Sequence, residues 1–315
     1  MNNDKNVNKL CSIIVPCFNE QDAIPIYYNE MLKHFKEFGD LDFEFWFIND
    51  GSTDNTLETI KKLRENDERI HFVSFSRNFG KESGIYAGLE NATGDYVVIM
   101  DVDLQDPPSL LHDMYVSVRD EGYDCAATRR VDRKGEPPIR SFFAKMFYKL
   151  ISKISNADIV DGARDYRFMT RRMVDSILSL GEYNRFSKGI FGWVGFKTKW
   201  IAFENAERCA GETKWSFWKL FVYSIDGIAA FSTAPLSIAS VLGILCCLFA
   251  FIGAVFIFVR AAIFGDPVSG WPSMICIMTM LGGIQLLCLG IIGIYLSKTY
   301  LETKKRPIYI IKEKA

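Results

Sequence analysis

The sequence predicts an α/β domain on an open, mostly parallel sheet, followed by two transmembrane α-helices. Three observations predict it. Over the first 130 residues, short apolar runs alternate with amphipathic stretches of helical length, the pattern of strands and helices that cover both faces of a sheet. Polar, acid-bearing segments follow three of those runs. Near the C-terminus, no charge occurs between Asp226 and Arg260 or between Asp266 and Lys298, and each stretch exceeds the roughly 20 apolar residues that cross a bilayer.

Taken in order, 12–15, 43–48, 70–75, 96–100 and 124–127 read as short buried strands. Between them, 23–38, 54–65, 82–91 and 109–121 read as helices. Thr53 or Asp54 can cap the second, and Pro107-Pro108 marks the start of the fourth. In such sheets ligands bind beyond the carboxyl ends of the strands. From Arg129 to Arg140 the chain turns basic and carries Pro137-Pro138, which reads as a mobile loop. In 142–154, Phe142, Phe143, Met146, Phe147 and Leu150 alternate with Lys145, Lys149 and Lys153. This fits an amphipathic helix lying in a headgroup layer or one packing on the domain. Residues 214–231 offer a second such stretch.

The runs 244–259 and 274–296 show no polar face, and Gly243, Gly253, Gly282, Gly283, Gly290 and Gly293 suit close helix–helix contact in lipid. Lys197, Lys199, Arg208, Lys214 and Lys219 precede the first span, and Lys298, Lys304, Lys305 and Arg306 follow the second. The positive-inside bias therefore puts both ends in the cytoplasm and the connection outside. The expected division is a catalytic domain at 1–213, a juxtamembrane helix at 214–231, two spans with a short loop at 232–298 and a cytoplasmic tail at 299–315.

A formal net charge of -1 over 315 residues gives no overall field to gather nucleic acid. Eight cysteines are present, without a C-x-x-C pair, and the three histidines share no ligand spacing. Neither zinc nor thiol chemistry is indicated.

The polar segments at the strand ends carry the chemistry. They are Pro16-Cys17-Phe18-Asn19-Glu20, Asn49-Asp50-Gly51-Ser52-Thr53-Asp54 and Asp101-Val102-Asp103-Leu104-Gln105-Asp106. An N-D-G-S string alone is an ordinary turn and helix cap; three acid-bearing strand ends in one parallel sheet converge on a single crevice. If the chain is extended at Asp101 and Asp103, both carboxylates face one side and repel unless a cation sits between them. Magnesium or manganese suits that place, because hard cations take oxygen ligands and share them with substrate phosphates. Structural ion pairing is the competing explanation. Arg129, Arg130, Arg133, Arg140 and Lys145 supply cations that match phosphate oxygens, or form a solvated basic loop drawn to anionic lipid.

The ordered set S-I-I-V-P-C-F-N-E, N-D-G-S-T-D, S-F-S-R-N-F-G-K-E, M-D-V-D-L-Q-D-P-P, R-D-Y-R-F-M, F-G-W-V-G-F and A-G-E-T-K, with the paired spans, resembles the family-two glycosyltransferases with a GT-A fold. Within them it looks most like the bacterial polyprenyl-phosphate (bactoprenol) glucosyltransferases, relatives of dolichol-phosphate mannose synthase. The resemblance implies that Pro16, Asn19, Glu20 and Asp50 bind the nucleoside of a nucleotide-sugar donor, with Lys81 near the base or diphosphate. It implies Asp101 near the ribose and diphosphate, and Asp103 and Gln105 holding the metal. Asp165 and Arg167 match the acidic and basic positions beside acceptor and sugar. Tyr166-Arg167-Phe168 stands where many relatives have Phe-Arg-Leu, and the charged pair is kept. The resemblance further implies glucose transfer from UDP-glucose to polyprenyl phosphate, inversion at the anomeric carbon, and a homo-oligomer, with a tetramer as one form. UDP-galactose, a UDP-N-acetylhexosamine or GDP-mannose as donor stay open, as do a glycan or protein acceptor and a binding protein without turnover.

Overall fold

The structure, a computed structural model, describes residues 8–130, 160, 162–203, 225, 227–264 and 270–315. The basic loop with Arg133 and Arg140, the stretch 142–154 and most of 214–231 lie outside the described residues.

The elements run β1 (Lys9–Cys17), α1 (Ala23–His34), β2 (Leu41–Asn49), α2 (Thr56–Asn66), β3 (Ile70–Phe75), α3 (Lys81–Asn91), β4 (Tyr96–Ile99), α4 (Leu111–Arg119) and β5 (Cys125–Arg130). They continue with β6 (Ala163–Thr170), α5 (Arg171–Leu178), α6 (Ser187–Trp193), β7 (Thr198–Phe203), α7 (Ala234–Phe264), α8 (Trp271–Thr303) and β8 (Ile311–Lys314). One sheet holds them in the order β7-β5-β6-β4-β1-β2-β3-β8. The four strands from β3 to β4 are parallel. Outside them the sheet is mixed, because β6 runs antiparallel to β4 and β5 while β8 runs antiparallel to β3.

Alternation along the strands builds a core on each face. In β2, Phe43, Phe45 and Phe47 enter one cluster, while Trp46 and Ile48 enter the other. Phe35 stacks on Phe43 with ring centroids 4.1 Å apart. On the opposite face, α3 presses on β1 because Gly88 has no side chain; a Cβ there would overlap Ile14. Glu44 points inward at 8% exposure and accepts from Ser12 Oγ (2.6 Å) and Trp46 Nε1 (3.0 Å). The buried acid is therefore hydrogen-bonded, as such a group must be.

The apolar helices α7 and α8 are long and apolar enough to cross a membrane, over Ala234–Gly253 and Ile277–Thr303. Their side chains point outward, with Phe249 70% and Leu286 71% exposed, which no core helix of a soluble domain would show. They form an antiparallel hairpin in which Tyr295 Oη donates to the Ser232 carbonyl at 2.5 Å. The hairpin glycines do not serve contact within the pair. A Cβ at Gly243, Gly253, Gly282, Gly283, Gly290 or Gly293 would meet nothing within 4 Å.

The end of α8 docks on the domain. Glu302 accepts from the backbone amides of Tyr183 (3.0 Å) and Asn184 (2.9 Å). Beyond it the chain returns to the sheet. Tyr309 stacks on Phe75 at 4.8 Å, and β8 completes the edge beside β3. The segment expected as a tail is thus part of the sheet.

Candidate active site

The parallel strands β1, β2 and β4 end at one edge, so their loops meet there. The first two are laced together. Asn19, at φ 55, donates its backbone N–H to Ser52 Oγ (2.9 Å), and its side-chain carbonyl accepts from the Thr53 amide (2.8 Å). The Glu20 amide donates to Thr56 Oγ1 (2.8 Å). Gly51, at φ +65, brings the turn against the Arg77 backbone, where a Cβ would collide. Pro16 packs against α3 at Gly84.

Asp50 is 4% exposed. Its two oxygens accept from the amides of Phe79 (2.6 Å) and Gly80 (2.9 Å). Burial pushes its carboxyl up, and those two amides pull against the shift. In this structure Asp50 fixes the loop that delivers Lys81.

Lys81 is the hub. Its Nζ lies 2.7 Å from Asp101 and 2.6 Å from Asp165. Topology explains the meeting: Ile99 on β4 pairs with Arg167 on antiparallel β6, so Asp101, just past the end of β4, and Asp165, near the start of β6, come to the same edge. Burial pushes the Asp165 carboxyl up, but Lys81 and then Lys188 outweigh it and hold the group well below the usual carboxylate range. Burial likewise acts against the Lys81 ammonium, and the two carboxylates more than compensate.

The expectation that extended chain would face Asp101 and Asp103 to one side is not met. β4 ends at Ile99, and the following residues turn, with Leu104 at φ 56. The turn lets Asp103 Oδ1 accept from the Gln105 amide at 3.1 Å. The cation between neighbouring acids is a lysine, and it joins Asp101 to Asp165. Among the described residues no three acidic, histidine or cysteine side chains converge as a closed metal cage. The oxygen donors of Asp101, Asp103 and Gln105 on one turn still suit a hard cation whose shell is completed by substrate phosphates, since magnesium binds through one or two carboxylates in such sites.

Three site residues had no assigned role in the sequence reading. Arg164 lies 2.9 Å from Asp106. Asp106 is 1% exposed, and its Oδ2 has no hydrogen-bond partner among the described residues. Burial pushes its carboxyl up to about 6, against the pull of Arg164 and with a further push from Asp101. Lys188, on α6, is the third, through its field at Asp165. Arg164 and Asp106 stood in the quoted motifs R-D-Y-R-F-M and M-D-V-D-L-Q-D-P-P; nothing in the sequence singled out Lys188.

Arg167 sits deeper than Asp165 on the same face of β6. It is 2% exposed, with its guanidinium carbon 4.3 Å from the Phe191 ring centroid and 5.2 Å from that of Trp200. Arg129 and Arg130 close β5 at the common edge, where the Arg130 amide donates to the Gly162 carbonyl (2.9 Å). The edge thus carries an acid–lysine–acid bridge flanked by arginines, a field suited to anionic, phosphate-bearing ligands.

The sequence matches glycosyl transferase family 2 over residues 12–178. CsbB of Bacillus subtilis (strain 168) is 44% identical over 304 residues, covering 96% of this chain and 92% of that protein. The bactoprenol glucosyl transferase of Shigella phage SfX is 40% identical over 303 residues, covering 96% of this chain and 99% of that one. The crystal structure of mannosyl-3-phosphoglycerate synthase from Rubrobacter xylanophilus shares the fold, with a TM-score of 0.50 at 17% identity over 70% of this chain and 72% of its own. The chain belongs to glycosyl transferase family 2, and its α/β domain has the GT-A fold.

Proposed function

We propose that the protein transfers a hexose, glucose from UDP-glucose first among the candidates, to the phosphate of a polyprenyl phosphate at the cytoplasmic membrane face, with inversion. The observation that carries this reading is the Asp101–Lys81–Asp165 bridge at the shared strand edge, in a domain joined to an apolar hairpin. Near-full-length similarity to a bactoprenol glucosyl transferase supports the same acceptor and sugar. The hairpin ends that touch the domain carry the basic flanks, which supports placing both in the cytoplasm. Outward glycines on both helices support assembly of several copies through the hairpin.

In this reading the loops bearing Pro16, Asn19, Glu20 and Asp50 hold the nucleoside. Asp103 and Gln105, with Asp101, would hold magnesium or manganese, which when bound neutralises charge on the diphosphate. The acceptor is a phosphate monoester with a second pKa near 6, so at neutral pH its oxygen is already an anion. That oxygen forms a bond to the anomeric carbon as the bond to the donor diphosphate breaks, and the electron pair leaves with the diphosphate. No proton has to be removed from the nucleophile, so Asp165 serves to hold Lys81 and the sugar in place. Arg129 and Arg130, with Arg133 and Arg140, would offset the repulsion between two anionic substrates.

A donor panel given to membranes with undecaprenyl phosphate, with and without chelator, tests this. Label from one UDP-hexose should pass into an organic-extractable product, and chelator should abolish it. If no donor yields an extractable product, the acceptor assignment is wrong.

A further inference from the structure

Asp165 is addressed by two cations from distant parts of the chain. Burial pushes its carboxyl up, and Lys81 and then Lys188 pull it down. Lys81 opens α3, with its Nζ 2.6 Å from Asp165. Lys188 lies in the first turn of α6. Neither helix follows the other in the sequence, so a contact between them must fix the two lysines relative to each other.

The residues beside the lysines make that contact. Glu82 follows Lys81, and Ser187 precedes Lys188. Across 105 positions of sequence, Glu82 Oε2 accepts from the Ser187 amide at 2.9 Å and also from Ser187 Oγ. Ser187 is 3% exposed, so solvent would not replace these bonds if they were lost. The first amide of a helix has no partner within it, and Phe186, at the N-cap of α6, makes no side-chain cap. Glu82 supplies the acceptor from α3, with a charge that suits a helix start. Four residues further along the same face of α3, Tyr86 receives Arg185, whose guanidinium carbon lies 4.5 Å from the ring centroid. α3 therefore grips the chain entering α6 at two alternate residues.

The body of α6 is seated differently. Ile190 and Phe191 enter the core of the sheet, and Gly189 leaves room for the Phe231 ring, which a Cβ would overlap. Those contacts set the helix against the domain and the foot of the apolar hairpin. Glu82 sets its first turn, where Lys188 stands.

We propose that Glu82 is a positioning residue for hexose transfer: by holding Ser187 it sets Lys188 relative to Lys81, so that both cations address Asp165 together. The inference rests on the transfer reading above, in which Asp165 holds Lys81 and the sugar in place, and adds to it the residue that aligns the second cation. In this role the reach of the Glu82 oxygen matters more than its charge.

The test uses the full-length protein in detergent, assayed with UDP-glucose and undecaprenyl phosphate. Glu82→Gln keeps an oxygen at the same reach, whereas Glu82→Asp keeps the charge but falls one methylene short. Glu82→Asp and Glu82→Ala should lower kcat about tenfold with the donor KM within about twofold, while Glu82→Gln stays within about threefold of the parent. Ser187→Ala, which removes only the hydroxyl bond, gives a milder second variant and should lower kcat about threefold. In a Lys188→Gln background, Glu82→Ala should cost less than about twofold more, because both changes act through one cation. Independently of turnover, acetylation of Lys188 by acetic anhydride, read by mass spectrometry, should be at least about threefold faster in Glu82→Ala, since an untied first turn opens more often. Parent-like turnover in Glu82→Asp with loss in Glu82→Gln would make charge the agent and overturn the proposal. Effects of Glu82→Ala and Lys188→Gln that multiply would overturn it too, and unchanged Lys188 labelling would remove the link itself. If the parent transfers no hexose to a prenyl phosphate, the proposed function fails, while the labelling still decides whether Glu82 places Lys188.

Discussion

The two flanks of the catalytic edge are built on opposite terms. On the β1–β2 flank the polar groups answer one another within the protein: Asn19 with Ser52 and Thr53, Glu20 with Thr56, and Asp50 with the Phe79 and Gly80 amides. On the β5–β7 flank Arg167 stands against the rings of Phe191 and Trp200, and its Nε has no hydrogen-bond partner among the described residues. The first flank is closed by bonds within the protein; the second keeps a buried donor open among the described residues. Lys81 stands between them, bonded to Asp101 of the first and Asp165 of the second.

The largest effect is expected where the flanks join. Lys81→Met removes the cation that bridges Asp101 and Asp165, and should lower kcat/KM about a hundredfold, equivalent to about 2.7 kcal/mol. Both substrates' requirements should suffer. A change confined to the acceptor KM would move Lys81 out of the hub and break the comparison.

A smaller effect is expected at Asp165→Asn, a roughly tenfold fall in kcat with donor binding retained. Because Lys81 and Lys188 hold the folded-state pKa below the usual carboxylate value, Asp165 is ionised throughout the range above roughly pH 4. Its stabilising contribution disappears only as pH falls below that. The acidic limb of the pH–rate profile, near about 6, then belongs to the acceptor phosphate or to Asp106, whose carboxyl burial pushes up to about 6, and in either case should persist in the variant. Its disappearance in Asp165→Asn would identify that carboxylate as a general base and sharpen the account of the acceptor flank.

The smallest effect lies farthest from the edge. Glu302→Gln weakens the bonds to the Tyr183 and Asn184 amides and should cost about 1 kcal/mol of stability, read as a lower melting temperature in detergent, with turnover little changed. A loss of turnover as large as that of Asp165→Asn would tie the hairpin directly to the chemistry.

The β1–β4 half was legible in the sequence because its strands are apolar runs and its loops carry recognisable acids. The first five strands and four helices match the alternation closely. β6 was hidden because A-R-D-Y-R-F-M-T carries three charges through a buried strand, and only the folded chain supplies their counterparts: Asp106 for Arg164, Lys81 for Asp165, and the rings for Arg167. β8, with the sequence I-K-E-K, has the charged character of an edge strand and so reads as a tail. The convergence of Asp101 with Asp165 was legible only as resemblance, since an antiparallel strand from the far side of a mixed sheet makes it. The turn after Ile99 defeated the alternation argument for Asp103, because periodicity holds only while the strand lasts.

The strand at the end of the chain makes the second apolar helix a lever on the catalytic sheet. Ala315 and Phe72 exchange two backbone hydrogen bonds, at 2.9 and 3.1 Å, and Glu302 clamps the helix end a short distance upstream. In a bilayer, a helix that leans to match the hydrocarbon thickness would carry the sheet with it, raising or lowering the crevice relative to the headgroups. Lipid chain length would thereby become an input to how far an isoprenoid must climb to react.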